Sequence, residues 1–199
     1  MRRYFLFIAF LLTILAMPTA EASYDGSQSI AGGRPIVAIY PVVNSMRERG
    51  SYYLVDMVNE SLFRKFDSST YLVMTGPALT ESLQRYGVYD DPVSDTAAIR
   101  AALRAMGVHY IVKVELLPAS AKQKINFPNV FLLRKTWVAT VPLACIVIDV
   151  PTGTVVYDAI LAEQGSDENF IGFASKGQAL RGSLGKALER FERETLIPE

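Results

Sequence analysis

The chain has one histidine and one cysteine, the residue types that together form a base and a nucleophile in many enzymes. His109 is the only histidine and Cys145 the only cysteine among the 199 residues. An imidazole beside a thiol supplies the general base and the nucleophile of many hydrolases. Both residues lie in apolar, strand-like segments, which favour a buried, inert thiol and a histidine that packs or hydrogen-bonds. We assign no catalytic residue, and a small hydrolase that uses His109 stays an alternative.

Two further groups of polar residues have the spacing of a catalytic pair or of a metal-binding site. Ser183 and Lys186 are three residues apart, which places a hydroxyl and an amine on one face of a helix, as in penicillin-binding enzymes. The other motifs of those enzymes do not accompany the pair, so a capped or solvent-facing helix turn is the favoured interpretation. Asp90, Asp91 and Asp95 could supply oxygen ligands to calcium. A solvated loop with a helix cap is preferred there, and a calcium or small-ligand binder stays open.

Composition excludes several functional classes. Lys and Arg total 20 and Asp and Glu total 20, so there is no basic excess of the kind that nucleic-acid binding requires. A single cysteine and a single histidine exclude a disulfide scaffold and a zinc ribbon. The glycine pair at 32–33 precedes a strand instead of following one, so it does not form a phosphate-binding turn. We expect no cofactor and no metal.

The N-terminus has the pattern of a secretory signal. Arg2 and Arg3 precede an apolar run at 4–16, and Ala20-Glu-Ala22 has the small-x-small pattern of a cleavage site. That run would span roughly 20 Å as a helix, less than the ~30 Å hydrocarbon core of a bilayer. We therefore expect a periplasmic or secreted protein with no transmembrane segment in its mature chain. The predicted organisation is a signal peptide at 1–22 cleaved near Ala22, a flexible leader at 23–34 and a single domain at 35–199.

Hydrophobic periodicity predicts the elements that position these residues. The fold class is a mixed α/β sheet of about five strands, with helices packed mainly on one face. In the segment 109–117, apolar residues alternate with His109, Lys113 and Glu115, so one sheet face is packed and the other is partly wet. Pro142 indicates an edge position or a bulge. The predicted strands are 35–43, 71–75, 109–117, 137–150 and 154–161, and the predicted helices are 51–67, 76–86, 95–106 (capped by Ser94 or Asp95) and 177–196.

Three strings resemble a family of extracytoplasmic proteins. They are IVAIYPVV (36–43), AALRAMGVHYIVKVEL (101–116) and ACIVIDVPTGTVV (144–156). The chain resembles proteins related to the curli-secretion lipoprotein CsgG, a group with the LpoB-type activators of penicillin-binding proteins and the N-terminal domain of TolB. The match covers roughly 35–196, although this chain lacks the lipobox cysteine. The resemblance implies a non-enzymatic envelope protein that acts through protein partners.

Two connections, 118–135 and 164–178, carry the aromatic and basic residues expected of a contact surface. We expect them to flank the sheet face of Lys113 and Glu115. The alternative is that their aromatic side chains fold back on the core. The partner would be an envelope protein, and a homo-oligomer stays open. The predicted partner-binding residues are Phe127, Phe131, Arg134, Lys135, Phe170 and Phe173.

Overall fold

The computed structural model describes residues 33–46, 51–129, 132–169 and 174–195. The predicted signal peptide and residues 23–32 of the predicted leader lie outside the described residues. Within the described ranges, no helix combines the length and the apolar character that crossing a bilayer requires.

The helices and strands follow one another in mixed order along the chain. The helices are α1 (Tyr52–Lys65), α2 (Gly76–Arg85), α3 (Ala97–Ala105) and α4 (Lys176–Glu194), with a short 3₁₀ turn at Pro92–Ser94. The strands are β1 (Ile36–Ile39), β2 (Val43–Asn44), β3 (Leu72–Thr75), β4 (Tyr110–Leu116), β5 (Ser120–Asn129), β6 (Leu132–Thr140), β7 (Leu143–Asp149), β8 (Val155–Leu161) and β9 (Gln164–Asn169).

The main sheet mixes parallel and antiparallel strands. Its order is β3-β1-β4-β7-β8, and β2 also pairs with β4. β1 lies parallel to both β3 and β4, whereas β4, β7 and β8 are antiparallel neighbours. The predicted mixed α/β class is therefore confirmed, and β1, α1 and β3 form a strand–helix–strand unit with parallel strands. β7 and β8 form a hairpin, with Gly153 in its turn at a φ of 73°.

Helices lie on both faces of the main sheet, which corrects the prediction that they pack mainly on one. Leu54 of α1 and Leu184 of α4 share a core with Val112 on one face. Leu83 of α2 and Ile99 of α3 form a second core on the opposite face. The reason is the sequence of β1 and of the first half of β4, where consecutive apolar residues leave a hydrophobic surface on each side.

A second sheet replaces the two predicted connections. β5, β6 and β9 pair in that order and are antiparallel, so strands and not loops form most of 118–135 and the first part of 164–178, at 164–169. The predicted strand at 137–150 is likewise two strands, one in each sheet, and they are separated at Pro142. Proline has no backbone N–H to donate to a neighbouring strand, so it interrupts the pairing. Pro41 similarly separates β1 from β2 within the predicted strand at 35–43.

The second sheet packs against α4, at Gly165. A β-carbon at this position would overlap the backbone of Ala179 and Ser183 in the helix. Only glycine permits so close an approach of strand and helix. Since α4 belongs to the core that contains Val112, the second sheet lies on that side of the molecule. The strands formed by the two connections therefore do not flank the face of Lys113 and Glu115 as predicted.

Candidate functional site

His109 holds strands together. Its Nδ1 accepts the backbone N–H of Ile36 at 3.1 Å. The backbone N–H of His109 donates to the Ile36 carbonyl at 2.8 Å, and its backbone carbonyl accepts the N–H of Val150 at 2.8 Å. The residue thus connects β1 to the ends of β4 and β7, and its Nδ1 is already occupied as an acceptor.

Cys145 lies away from His109 and does not form a pair with it. It is opposite Val114 in the β4–β7 register, five residues along the strand from His109, or about 16 Å. It also points to the opposite face, into the core shared with Val112. The side chain is fully buried, and burial raises the pKa of its thiol to about 12. The arrangement provides no activated nucleophile.

Ser183 and Lys186 are also engaged in structural contacts. The Oγ of Ser183 donates to the Glu163 carbonyl at 2.6 Å and accepts the N–H of Val141 at 2.7 Å. The Nζ of Lys186 donates to the Gln164 carbonyl at 2.9 Å. Both side chains therefore bind α4 to the segments that join the two sheets. Ser183 is buried, so it is neither the helix cap nor the solvent-facing residue that the sequence predicted.

The three aspartates of the calcium alternative have separate tasks. Asp91 accepts the N–H of Val93 and so caps the 3₁₀ turn, and Asp90 accepts the hydroxyl of Thr96. Thr96, not Ser94 or Asp95, caps α3, since its Oγ1 accepts the N–H of Ile99. In the described part of the chain, no group of three acidic, histidine or cysteine side chains is arranged to hold a metal ion.

Asp95 is the centre of a small ionic cluster that the sequence did not predict. Its carboxylate is 2.9 Å from the Nζ of Lys113 and 2.7 Å from Nη2 of Arg100. Tyr40 donates its hydroxyl to the same carboxylate at 3.3 Å, and the Lys113 ammonium lies 5.9 Å from the Tyr40 ring centroid. Asp95 itself has a φ of 47°, a left-handed conformation that aspartate tolerates better than most residues.

Charge sets the protonation state of this cluster. Burial by itself raises the pKa of Asp95, but the hydrogen bonds and charges of Arg100 and Lys113 outweigh it and hold that pKa below its usual range. Burial, together with the neighbouring Asp95 carboxylate, raises the pKa of Tyr40. At neutral pH the cluster therefore contains a carboxylate and a protonated phenol, and Lys113 and Arg100 share the single negative charge of Asp95.

A pocket of about 300 Å³ opens beside this cluster, on the face of the main sheet opposite α1 and α4. α2 and α3 cover that face near Ile111 and Ile148. The pocket begins where Lys113 and Glu115 follow along β4. We call it the sheet-face pocket; its lining residues are Tyr40, Pro41, Val43, Val93, Lys113, Val114, Glu115, Ala144 and Ile146.

Exposed apolar residues extend the pocket to the sheet edge. Ala144 lies opposite Ile160 of β8, and Ile146 lies opposite Asp158. The Ile160 residue is 66% exposed, and Val93 on the other border is 39% exposed. β8 ends the strand order of the main sheet among the described residues. The result is a concave apolar surface bordered by charged groups.

Of the predicted partner-binding residues, Lys135 is the one whose side chain the structure describes. Lys135 is half-buried on β6, opposite Ile125. Phe127 lies on β5 and Arg134 on β6, but their side chains are not described. The other predicted residues, Phe131, Phe170 and Phe173, lie outside the described residues.

Sequence reasoning missed the sheet-face pocket, although one signal pointed to it. The alternation in β4 placed Lys113 and Glu115 on a partly wet face. The pocket is also lined by Tyr40 and Val93. These residues lie in other segments of the chain, and the alternation within β4 says nothing about their position.

Comparison with known proteins supports the fold. No protein-family model and no curated protein sequence matches this chain. A neuraminyllactose-binding hemagglutinin homolog from Helicobacter pylori has a similar structure, with a TM-score of 0.51, 8% identity and coverage of 82% of this chain and 84% of that chain. This similarity concerns the fold alone.

Two further solved structures resemble the chain more weakly. The lipoprotein GNA1162 from Neisseria meningitidis has a TM-score of 0.39 and 10% identity, covering 80% of this chain and 96% of that chain. The C-terminal domain of LpoB from Escherichia coli has a TM-score of 0.40 and 13% identity, covering 64% and 81%. The structural neighbours therefore include a lipoprotein and LpoB, at low identity, and the resemblance to CsgG itself stays a prediction.

Proposed function

We propose that this chain is a non-enzymatic extracytoplasmic module that binds a protein partner in the cell envelope. The observation that carries the proposal is the sheet-face pocket, which continues into the exposed Ile160 at the sheet edge. Exposed apolar surface bordered by polar groups is typical of a protein interaction site. The extracytoplasmic location rests on the predicted signal peptide at 1–22.

The use of the reactive side chains supports a non-enzymatic role. His109 accepts a backbone N–H through Nδ1, and the Ser183 hydroxyl both donates and accepts. Cys145 is buried in the core without a base beside it. A nucleophile requires an adjacent base or a lowered pKa, and none of these three residues has that arrangement. No observation favours the hydrolase alternative over binding.

A second contact surface is proposed on the second sheet, from the residues predicted in the sequence. Lys135 is the member whose side chain is described, and it lies opposite Ile125, which is 49% exposed. Lys122 and Lys124 on β5 are exposed and give this sheet basic character. Binding at either surface would satisfy the proposed function, so experiments must distinguish them.

Capture of partners from native envelopes tests the proposed function. The full chain is cross-linked in intact cells, and co-purified proteins are identified by mass spectrometry. We expect a discrete partner with the wild-type chain and its loss with Ile160→Glu, which adds a charge to the apolar border. Phe63→Glu is the matched control, because Phe63 is 50% exposed on α1.

Two results would overturn the proposal. One is that no envelope protein is captured above the level of an unrelated secreted protein. The other is hydrolysis of ester, phosphoester or peptidoglycan substrates by the purified chain that disappears with His109→Gln. Thermal melting of each variant confirms that a loss of binding or activity is not a loss of folding.

A further inference from the structure

The sheet-face pocket has the shape and charge to select one kind of partner segment. We infer that it binds an extended protein segment in which an apolar residue stands between two basic residues, in the pattern basic-x-apolar-x-basic. This inference rests on the proposed function and adds to it the chemistry of the partner.

The floor of the pocket fits a single large apolar side chain. Ala144 and Ile146 of β7 form it, and Pro41, Val43 and Val93 form the apolar wall. Its volume is about 300 Å³, whereas a closed apolar cavity of about 150 Å³ already holds benzene. A leucine or phenylalanine side chain would remove this surface from water, which is the main favourable contribution to association.

Acidic groups outnumber the uncompensated positive charge around the pocket, because Lys113 and Arg100 share the single carboxylate of Asp95 and leave one positive charge against the carboxylates of Glu115 and Asp158. The Lys113 ammonium is paired with Asp95 at 2.9 Å. The carboxylate of Glu115 accepts a hydrogen bond from the neutral hydroxyl of Ser45. Asp158 is exposed. Among the described residues, neither Glu115 nor Asp158 has a cationic partner within salt-bridge distance, so a basic segment would complement both.

The positions of the two carboxylates give the spacing of the segment. Glu115 lies opposite Ala144, and Asp158 lies opposite Ile146, so the two acidic residues are two strands apart and offset by two residues. Strand spacing and rise place their Cα atoms about 12 Å apart. In an extended segment, residues i and i+4 are about 13 Å apart and point to the same side as residue i+2. A basic residue at each end would therefore meet a carboxylate while the central residue enters the pocket.

Photo-crosslinking in the native envelope tests this inference. A benzoyl-phenylalanine at position 160 of the full chain captures whatever segment lies over the pocket, and mass spectrometry gives its sequence. We expect an apolar residue with Lys or Arg two positions away on both sides. The double charge reversal Glu115→Lys with Asp158→Lys should lower the cross-link yield roughly tenfold, because two attractions become repulsions.

Matched variants separate charge from folding. Asp56→Lys makes one such charge reversal, half the change of the double variant, at an exposed site of α1 and should leave the yield unchanged. Glu115→Gln with Asp158→Asn removes both charges and keeps side-chain size. It should lower the cross-link yield several-fold, and it tests the effect of charge if the double reversal impairs folding. A captured segment without flanking basic residues, or a yield unaffected by these substitutions, would overturn the inference.

A second cross-linker position distinguishes this inference from the proposed function. Protein cross-links from position 135 with none from position 160 would overturn the sheet-face inference and leave the proposed function intact. An absence of protein cross-links from both positions would contradict both. Capture of a lipid or a small molecule at position 160 would also exclude a protein segment as the occupant.

Discussion

Ser183 accepts the backbone N–H of Val141 at 2.7 Å and thereby fixes the point where the chain passes from the second sheet to the main sheet. The same hydroxyl donates to the carbonyl of Glu163, which lies where the chain passes back from β8 to β9. One buried hydroxyl in α4 therefore secures two of the three crossings between the sheets. Its loss would leave the buried N–H of Val141 and the partly buried carbonyl of Glu163 without this partner.

Replacement of Ser183 by alanine should lower the free energy of unfolding by about 1–3 kcal/mol, the cost of buried polar groups left unpaired. Urea denaturation followed by circular dichroism measures this. Ser166→Ala, at an exposed position of β9, is the control and should change stability by less than about 0.5 kcal/mol. Equal effects of the two substitutions would show that the Ser183 contacts do not support the junction.

Glycines in β9 and in α4 should respond to alanine in opposite directions. Gly165→Ala forces a methyl group into the backbone of Ala179 and Ser183, so we expect a loss of about 1–3 kcal/mol or more. Gly185 lies inside α4 with open space around its Cα, and Gly185→Ala should stabilise the chain by up to about 1 kcal/mol. Differential scanning calorimetry of both variants checks this; a neutral Gly165→Ala would refute the close packing of β9 on α4.

The ionic cluster around Asp95 should make stability depend on acid pH. Because the pKa of Asp95 lies below its ordinary value in the folded chain, its contribution is present above about pH 4 and is lost as pH falls through the folded-state pKa. Asp95→Asn should cost about 1–2 kcal/mol at pH 7, since Arg100 is half exposed and solvent screens that pair. The difference from wild type should shrink below pH 4.

Chemical denaturation at a series of pH values measures that dependence. Asp158→Asn is the control, because it removes an exposed carboxylate that has no charged partner among the described residues. If the difference between wild type and Asp95→Asn stayed constant from pH 7 to pH 3, the cluster would not be ionised as described.

The thiol of Cys145 should be unreactive in the folded chain. With a pKa of about 12, only about one thiol in ten thousand is ionised at pH 8, and the side chain is fully buried. Ellman's reagent should therefore react with denatured chain at one equivalent and with native chain only at the rate of unfolding. Fast stoichiometric reaction of the native chain would restore the thiol as a candidate nucleophile.

Local patterns predicted the main sheet well, because each signal arises within one element. The alternation in 109–117 correctly separated the residues that face α1 and α4 from Lys113 and Glu115. Gly107 directly follows the helix predicted at 95–106, and its positive φ of 72° is typical of a glycine that ends a helix. These features depend on residues that are neighbours in sequence, so periodicity and turn chemistry report them directly.

The second sheet and the pocket could not be predicted in this way. β5 and β9 are polar strands, with Lys122, Lys124 and Glu168 pointing away from α4, and their composition resembles that of loops. Their strand conformation depends on pairing with β6 and on the absence of a side chain at Gly165. The pocket similarly combines Tyr40, Val93 and Ile146, which only the tertiary fold brings together.

Carbene footprinting of the full chain, in the native envelope and after isolation, tests most directly whether the sheet-face pocket contacts a partner. Labelling of Ile160 and Val93 should fall several-fold in the envelope relative to the isolated chain, while labelling of Phe63 on α1 should stay the same. Unchanged labelling of Ile160 and Val93, together with reduced labelling of Ile125 and Lys135, would contradict the account and place the contact on the second sheet.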